Sequence, residues 1–192
     1  MQIEGVSALV TGGGSGLGEA TARMLAARGA RVAVFDRDVA KGRAVAEAIG
    51  GMACAGDVTS EAEVTAALDA VSAAQGAPRI VVNCAGIGTA GRVLGRDGPL
   101  ALDAFERTIR VNLIGTFNVL RLAVARMAAL EPLADGERGV VINTASVAAF
   151  DGQIGQAAYA ASKGGIVGMS LPIARELARV GVRVNVIAPG IF

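Results

Sequence analysis

Apolar runs alternate with amphipathic stretches along the whole chain. Residues 6–10, 31–35, 52–55, 80–83, 139–144 and 182–187 are short and mostly apolar, and they read as strands. Between them, 17–28, 39–49, 61–74, 102–130 and 157–180 read as helices, the third opened by Thr59 or Ser60 as cap. A strand with no polar face must be covered on both sides, and parallel sheets are where that happens. The stretches 86–99 and 131–138, rich in Gly, Pro or charge, read as surface loops.

This alternation predicts an α/β fold: a doubly wound, Rossmann-type parallel sheet with helices on both faces, a three-layer sandwich. The expected strand order is 3-2-1-4-5-6, with right-handed crossovers. With no linker, repeat or low-complexity tract, residues 1–192 read as a single domain. Hydrophobic residues at 53% against 18% charged exclude a disordered chain. A net charge of +1 gives no electrostatic reason to expect nucleic acid or an anionic membrane as partner. No apolar run reaches the ~18 residues of a membrane span. No basic region and apolar stretch of a secretory signal precede the first strand, so a cytoplasmic location is expected.

Elimination narrows the chemistry. The chain has no histidine, which removes Ser-His-Asp and Cys-His nucleophilic catalysis together. Its two cysteines, Cys54 and Cys84, are expected as buried thiols rather than a disulfide. They leave little for a zinc site, and no metal is expected. Any general acid or base must then be Tyr, Lys, Asp, Glu or Cys. The single tyrosine is Tyr159.

The first strand runs into Thr11-Gly12-Gly13-Gly14-Ser15-Gly16-Leu17-Gly18, and a helix follows. Glycines let backbone approach a ligand closely, and a helix N-terminus offers free N–H groups to a pyrophosphate. The strand-before, helix-after context separates this segment from a plain flexible turn. Asp36 stands at the end of the second strand, where a carboxylate can accept from both adenine-ribose hydroxyls and repel a 2′-phosphate. That favours NAD over NADP; Arg37, next in the chain, could receive a 2′-phosphate, but the acidic residue comes first and Ser15 puts no cation in the glycine segment. The competing role for Asp36 is an N-cap of the next helix.

Tyr159 and Lys163 lie four residues apart in a predicted helix and share a face. An ammonium beside a phenol favours the phenolate, which suits Tyr159 to move a proton to or from a bound oxygen. Ser146 follows the fifth strand at a carboxyl end, where open α/β sheets place their sites, and could orient the substrate oxygen. Asn112 is a polar residue in an apolar helix that could hold a water near Lys163. Singly, each has a bland role as surface contact, turn cap or satisfied buried amide.

Taken with the glycine segment, Asn83-Cys84-Ala85-Gly86, Asn112, Ser146, Tyr159-x-x-x-Lys163 and Pro189-Gly190, the chain resembles the short-chain dehydrogenase/reductase family over essentially its whole length. Cys84 departs from that family's usual Asn-Asn-Ala-Gly. Segments 115–119, 139–150, 152–153, 156–159, 162–169 and 171–175 resemble the family's 3-hydroxyacyl-CoA dehydrogenase branch more closely. The resemblance implies an NAD-dependent oxidoreductase interconverting a secondary alcohol and a ketone, with an acyl-CoA thioester as substrate. It implies catalytic roles for Asn112, Ser146, Tyr159 and Lys163. It implies NAD contacts from Gly12, Ser15, Gly16, Leu17, Gly18, Asp36, Cys84 and the neighbouring Asn83, Ala85 and Gly86. Asp57 and Val58 would flank the adenine, Tyr159 and Lys163 would bind the nicotinamide ribose, and Pro189, Gly190 and Phe192 would lie near the nicotinamide. A homotetramer is also implied. The alternatives are another dehydrogenase of the family, acting on a steroid, a sugar alcohol or a carrier-protein thioester, and a non-catalytic NAD-binding subunit. Family members continue for several tens of residues past the Pro-Gly pair. A C-terminal segment with the substrate loop, a further helix and a seventh strand is therefore expected beyond Phe192, and without it the sixth strand is left as an exposed edge.

Overall fold

A computed structural model describes residues 1–96 and 98–190. Its elements run β1 (Ser7–Thr11), α1 (Gly16–Ala27), β2 (Arg31–Asp36), α2 (Val39–Ala48), β3 (Met52–Ala55), α3 (Glu61–Gln75) and β4 (Ile80–Asn83). Then come β5 (Leu94–Gly95), β6 (Gly98–Pro99), α4 (Leu102–Ile109), a π-helical turn (Arg110–Ile114) and α5 (Gly115–Ala128). β7 (Gly139–Thr144), α6 (Ala157–Leu177) and β8 (Val182–Ile187) complete it.

The six long strands form one parallel sheet in the order β3-β2-β1-β4-β7-β8. Counting only those strands, this is the expected 3-2-1-4-5-6. Alternate side chains feed two cores. Leu9, Phe35, Val81 and Val141 pack with Leu68 and Val71 of α3 and with Val119 and Met127 of α5. Val10, Val34 and Val82 pack on the other face with Leu25 of α1 and Val45 of α2. β8 is covered on one face only. Val182 and Val184 join the first core, while Arg183, Asn185 and Ile187 are exposed. β8 stands last in the strand order, next to β7.

The boundaries differ from the sequence reading for local reasons. β1 takes in Thr11, because its register with Phe35 and Asn83 continues to the last residue. Ser60, not Thr59, caps α3, its hydroxyl accepting from the Glu63 amide at 3.3 Å. The single helix expected over 102–130 is broken in phase by the π-turn, whose extra residue periodicity does not reveal. The expected loop 86–99 contains the β5–β6 hairpin, too short to leave a periodic signal. The last helix ends at Leu177, and a 3-10 turn leads to Gly181 at φ +71.

The membrane reading needs one correction. The continuous helical run Leu102–Ala128 is long and apolar enough to cross a membrane by length and composition. Half of its most apolar window is buried inside the fold, so the same apolarity serves the core. Both cysteines are free thiols, Cys54 buried and Cys84 half-buried.

Leu68 is fully buried between α3 and the sheet, whereas Met24 of α1 is 45% exposed. Leu68→Ala should lower the unfolding free energy by about 2–5 kcal/mol. Met24→Ala should change it by less than about 0.5 kcal/mol. Urea denaturation of both variants checks the pair.

Candidate functional site

The carboxyl ends of β1, β2 and β4 open onto a groove of about 450 Å³. Gly12, Ser15, Gly16, Leu17 and Gly18 form one wall. Gly12 adopts φ +63, and a Cβ there would stand 2.8 Å from the Ala85 backbone. A Cβ on Gly18 would collide with the Gly12 carbonyl oxygen. Only glycine fits either place. Ser15 gives α1 no side-chain cap among the described residues, so the first-turn N–H groups face the groove. That end of the helix suits a pyrophosphate.

Asp36, Asp57 and Val58 line the far end, and Cys84, Ala85 and Gly86 the floor. The N-cap of α2 is Asp38, which accepts from the Lys41 amide at 3.1 Å, so Asp36 is free of that task. The Asp36 carboxylate accepts instead from the amides of Gly14 (2.8 Å) and Asp38 (2.9 Å). Asp57 is held by its own turn, accepting from the Thr59 amide at 2.8 Å. Val58 packs where α5 begins with Gly115, and its carbonyl accepts from Asn118 at 2.9 Å. The groove thus has the shape and donors for a dinucleotide with an adenosine half at Asp36 and Val58.

Asn83 is a correction. It lies inside the sheet rather than on the groove, donating to Asn143 Oδ1 at 2.9 Å. Thr11 Oγ1 donates to Asn83 Oδ1 at 3.4 Å. The groove lining starts one residue later, because a strand turns successive side chains to opposite faces. Ala85 is held down by its amide donating to Thr11 Oγ1 at 3.2 Å.

Beyond the groove floor lies the second constellation. A Cβ on Gly86 would stand 3.2 Å from Asn112 Oδ1 and 3.8 Å from Lys163 Nζ, so the floor reaches both. Lys163 is 5% exposed. Its ammonium donates to the Thr144 carbonyl at 2.6 Å and stands 5.7 Å from the Tyr159 ring centre. Burial pulls its pKa down from 10.5 to about 8, opposed by the nearby Cys84. Burial pushes the Cys84 thiol up, so it stays protonated at neutral pH. Ser146 Oγ accepts from the Ala148 amide at 3.1 Å, leaving its own proton to donate elsewhere. The cap role and the functional role therefore coexist in Ser146. Pro189 joins this end, its carbonyl accepting from the Val147 amide at 2.9 Å. Gly190 beside it is exposed, and Phe192 lies outside the described residues.

Asn112 differs from expectation. Both of its amide protons are committed, to the Ile87 carbonyl and to Ser162 Oγ, each at 3.0 Å. Its Oδ1 accepts from the Ile87 amide at 2.8 Å. The side chain therefore clamps the loop after β4 to α6, and it has no donor left for a water. Ser162, which the sequence reading missed, completes the clamp by donating to the Tyr159 carbonyl at 2.7 Å. The signal for it is a small polar residue directly before Lys163 in an otherwise apolar helix. Lys41 on the groove rim was also missed, and Arg37, the cation directly after Asp36, lines the same rim. Lys41 sits among charged neighbours where no pattern singles it out.

A family model described as short chain dehydrogenase matches residues 7–192. The chain belongs to the short-chain dehydrogenase family. It is 52% identical to 3-hydroxyacyl-CoA dehydrogenase type-2 of Bos taurus, the match covering 99% of this chain and 74% of that protein. Against the protein of the same name from Drosophila melanogaster the identity is 51%, covering 99% and 76%. The crystal structure of 3-hydroxyacyl-CoA dehydrogenase type-2 from Mycobacterium avium superposes with a TM-score of 0.94 at 45% identity, covering 100% of this chain and 77% of that one. Membership makes this short-chain dehydrogenase an oxidoreductase acting on CH–OH groups, and its groove a nicotinamide-cofactor site.

Between pH 8 and 10.5 the unfolded chain keeps a proton on Lys163 that the folded chain has lost, so this group's contribution to stability rises with pH. Below pH 8 the buried ammonium is a cost. Lys163→Met should therefore abolish turnover at pH 7 without lowering the melting temperature, since it removes that cost. Parallel rate assays and thermal melts check it. A melting temperature several degrees lower would show that the ammonium's bond to Thr144 outweighs its burial.

Proposed function

We propose that this short-chain dehydrogenase oxidises 3-hydroxyacyl-CoA to 3-oxoacyl-CoA with NAD. The observation that carries the reading is the placement of buried Lys163 beside Tyr159, with Ser146 free to donate from the end of β7. Half-identical relatives named for that substrate support the choice of thioester. The apolar side chains of Val147, Phe150 and Ile154, exposed just past Ser146, offer an acyl chain a surface of its own kind. Asp36 at the ribose end of the groove supports NAD.

In the proposed reaction the bound nicotinamide ring supplies the hydride acceptor. The Ser146 hydroxyl donates a hydrogen bond to the substrate C3 oxygen and fixes its position. Tyr159 Oη takes the C3 hydroxyl proton as the C3–H bond gives up its hydride, and C3–O becomes a carbonyl. Lys163 has two N–H groups beyond the one given to Thr144. They can hold the nicotinamide-ribose hydroxyls and favour charge on the Tyr159 oxygen. In the reverse direction the same Tyr159 oxygen returns the proton.

NADH oxidation with acetoacetyl-CoA, followed optically, tests the activity beside a steroid, a sugar alcohol and a carrier-protein thioester. Acetoacetyl-CoA should give the highest kcat/KM. Tyr159→Phe should lower kcat by roughly a hundredfold or more. Equal rates for wild type and Tyr159→Phe would support a non-catalytic NAD-binding subunit instead.

We also propose a homo-oligomer, a homotetramer by analogy with the family. Ile114 and Phe117 on one helical run and Leu171 on α6 are exposed apolar side chains outside both cores. Light scattering should give a mass near four times that of one chain, and Phe117→Glu should reduce it. A monomer by light scattering would refute the proposal.

A further inference from the structure

The Asp36 carboxylate stands against two glycines, Gly14 and Gly42. It offers about four acceptor positions. The Gly14 and Asp38 amides use two, which leaves two for the vicinal hydroxyls of an adenine ribose. The glycine loop, the end of β2 and the first turns of α2 meet at this point. A Cβ on Gly14 would stand 2.9 Å from Asp36 Oδ2 and 3.0 Å from the Gly42 amide nitrogen. A Cβ on Gly42 would stand 3.3 Å from Asp36 Cβ, closer than ordinary van der Waals contact. Neither glycine has a positive φ, so neither is required by backbone conformation. The glycine at 42 is also the weaker helix former, in the interior of α2. Space beside Asp36 is the physical reason these distances supply.

The rim around the seat carries two cations among its carboxylates. Arg37 and Lys41 both line the groove, and Lys41 lies only 3.5 Å from the Asp38 carboxylate. A 2′-phosphate would find partners there if Asp36 gave way.

We propose that Gly42, with Gly14, forms a seat for Asp36 and is a specificity-determining position for the cofactor. It acts through Asp36 as a positioning residue and touches no cofactor itself. The proposal rests on the NAD reading above. An alanine at 42 must move Asp36 by a few tenths of an ångström relative to α2. That weakens its hydrogen bonds to ribose while leaving the cations to receive a phosphate.

The test is a double-mutant cycle read by direct binding. Dissociation constants for NADH and NADPH are measured by fluorescence titration for wild type, Gly42→Ala, Asp36→Ala and the double variant. Gly42→Ala should reduce the NADH-over-NADPH preference by about fivefold, the equivalent of one neutral hydrogen bond. In the Asp36→Ala background the same change should shift the preference by less than about twofold, because the group it acts through is gone. Steady-state kinetics should place the effect in KM for the cofactor more than in kcat. Alanine favours the helix, so a folded variant is expected, and a thermal melt verifies it. A preference unchanged by Gly42→Ala, or shifted equally in both backgrounds, would overturn the proposal. Equal affinity of wild type for the two cofactors would overturn the NAD reading itself, and the seat with it.

Discussion

Thr11, Asn83 and Asn143 stand side by side in register across β1, β4 and β7, and the candidate site is built on the row they make. Below them the strands are apolar on both faces and buried in two cores. A parallel sheet in that state can carry polar groups only at its ends, where the chain leaves for a loop. Thr11 bonds to Asn83 and Asn83 to Asn143, so the row closes the core and starts the polar chemistry in one layer. Its energy is not free of strain. Asn143 Nδ2 is fully buried and finds no partner among the described residues. Such a donor costs about 1–3 kcal/mol unless an acceptor reaches it. The protein tolerates that cost at the one layer where three loops must be held in fixed relation.

Each loop inherits its position from this row. Thr11 Oγ1 receives the Ala85 amide, which brings the floor of the groove so close to Gly12 that a side chain there has no room. Thr144, next after Asn143, has its carbonyl on the Lys163 ammonium. The π-turn supplies the third tie. It brings Asn112 to both Ile87 and Ser162, so the loop after β4 and the Tyr159 turn of α6 are joined through one buried amide. A phase shift inside a helix is costly enough that it persists only where something depends on it. Here a loop and a helix do.

The fold was legible because its signal is repeated. Six apolar runs and five amphipathic stretches all point to a covered parallel sheet, and an error of one residue at β1 or α1 changes nothing. The glycine segment and the Tyr159–Lys163 pair were legible because short spacing on a known element fixes geometry. What sequence could not carry was the direction of a side chain at an element's last residue. Asn83 and Cys84 look alike as parts of one motif, yet one faces the sheet interior and the other the groove. Asn112 was recognisable as unusual in its helix, but its partners lie 25 and 50 residues away, and a side chain's satisfied state depends on them. Lys41 carries no local pattern at all. The β5–β6 hairpin is held by tertiary context rather than by its own two-residue strands.

The two halves of the site are held with unequal firmness, and that bears on how such a protein changes its substrate. On the cofactor side, Gly12, Gly14, Gly18 and Gly42 leave almost no room for a side chain, and Asp36 is bonded on both oxygens. A change there disturbs several contacts at once. On the other side, Val147, Phe150 and Ile154 are exposed, and the segment leading into the hairpin is linked to the segment after β7 by a backbone bond from Gly91 to Gly155. Substitutions in those residues disturb few buried contacts, so they can vary while Tyr159, Lys163 and Ser146 keep their places. Chemistry that rests on buried hydrogen bonds, beside a surface that rests on little, is the arrangement in which one reaction can be redirected among many alcohols.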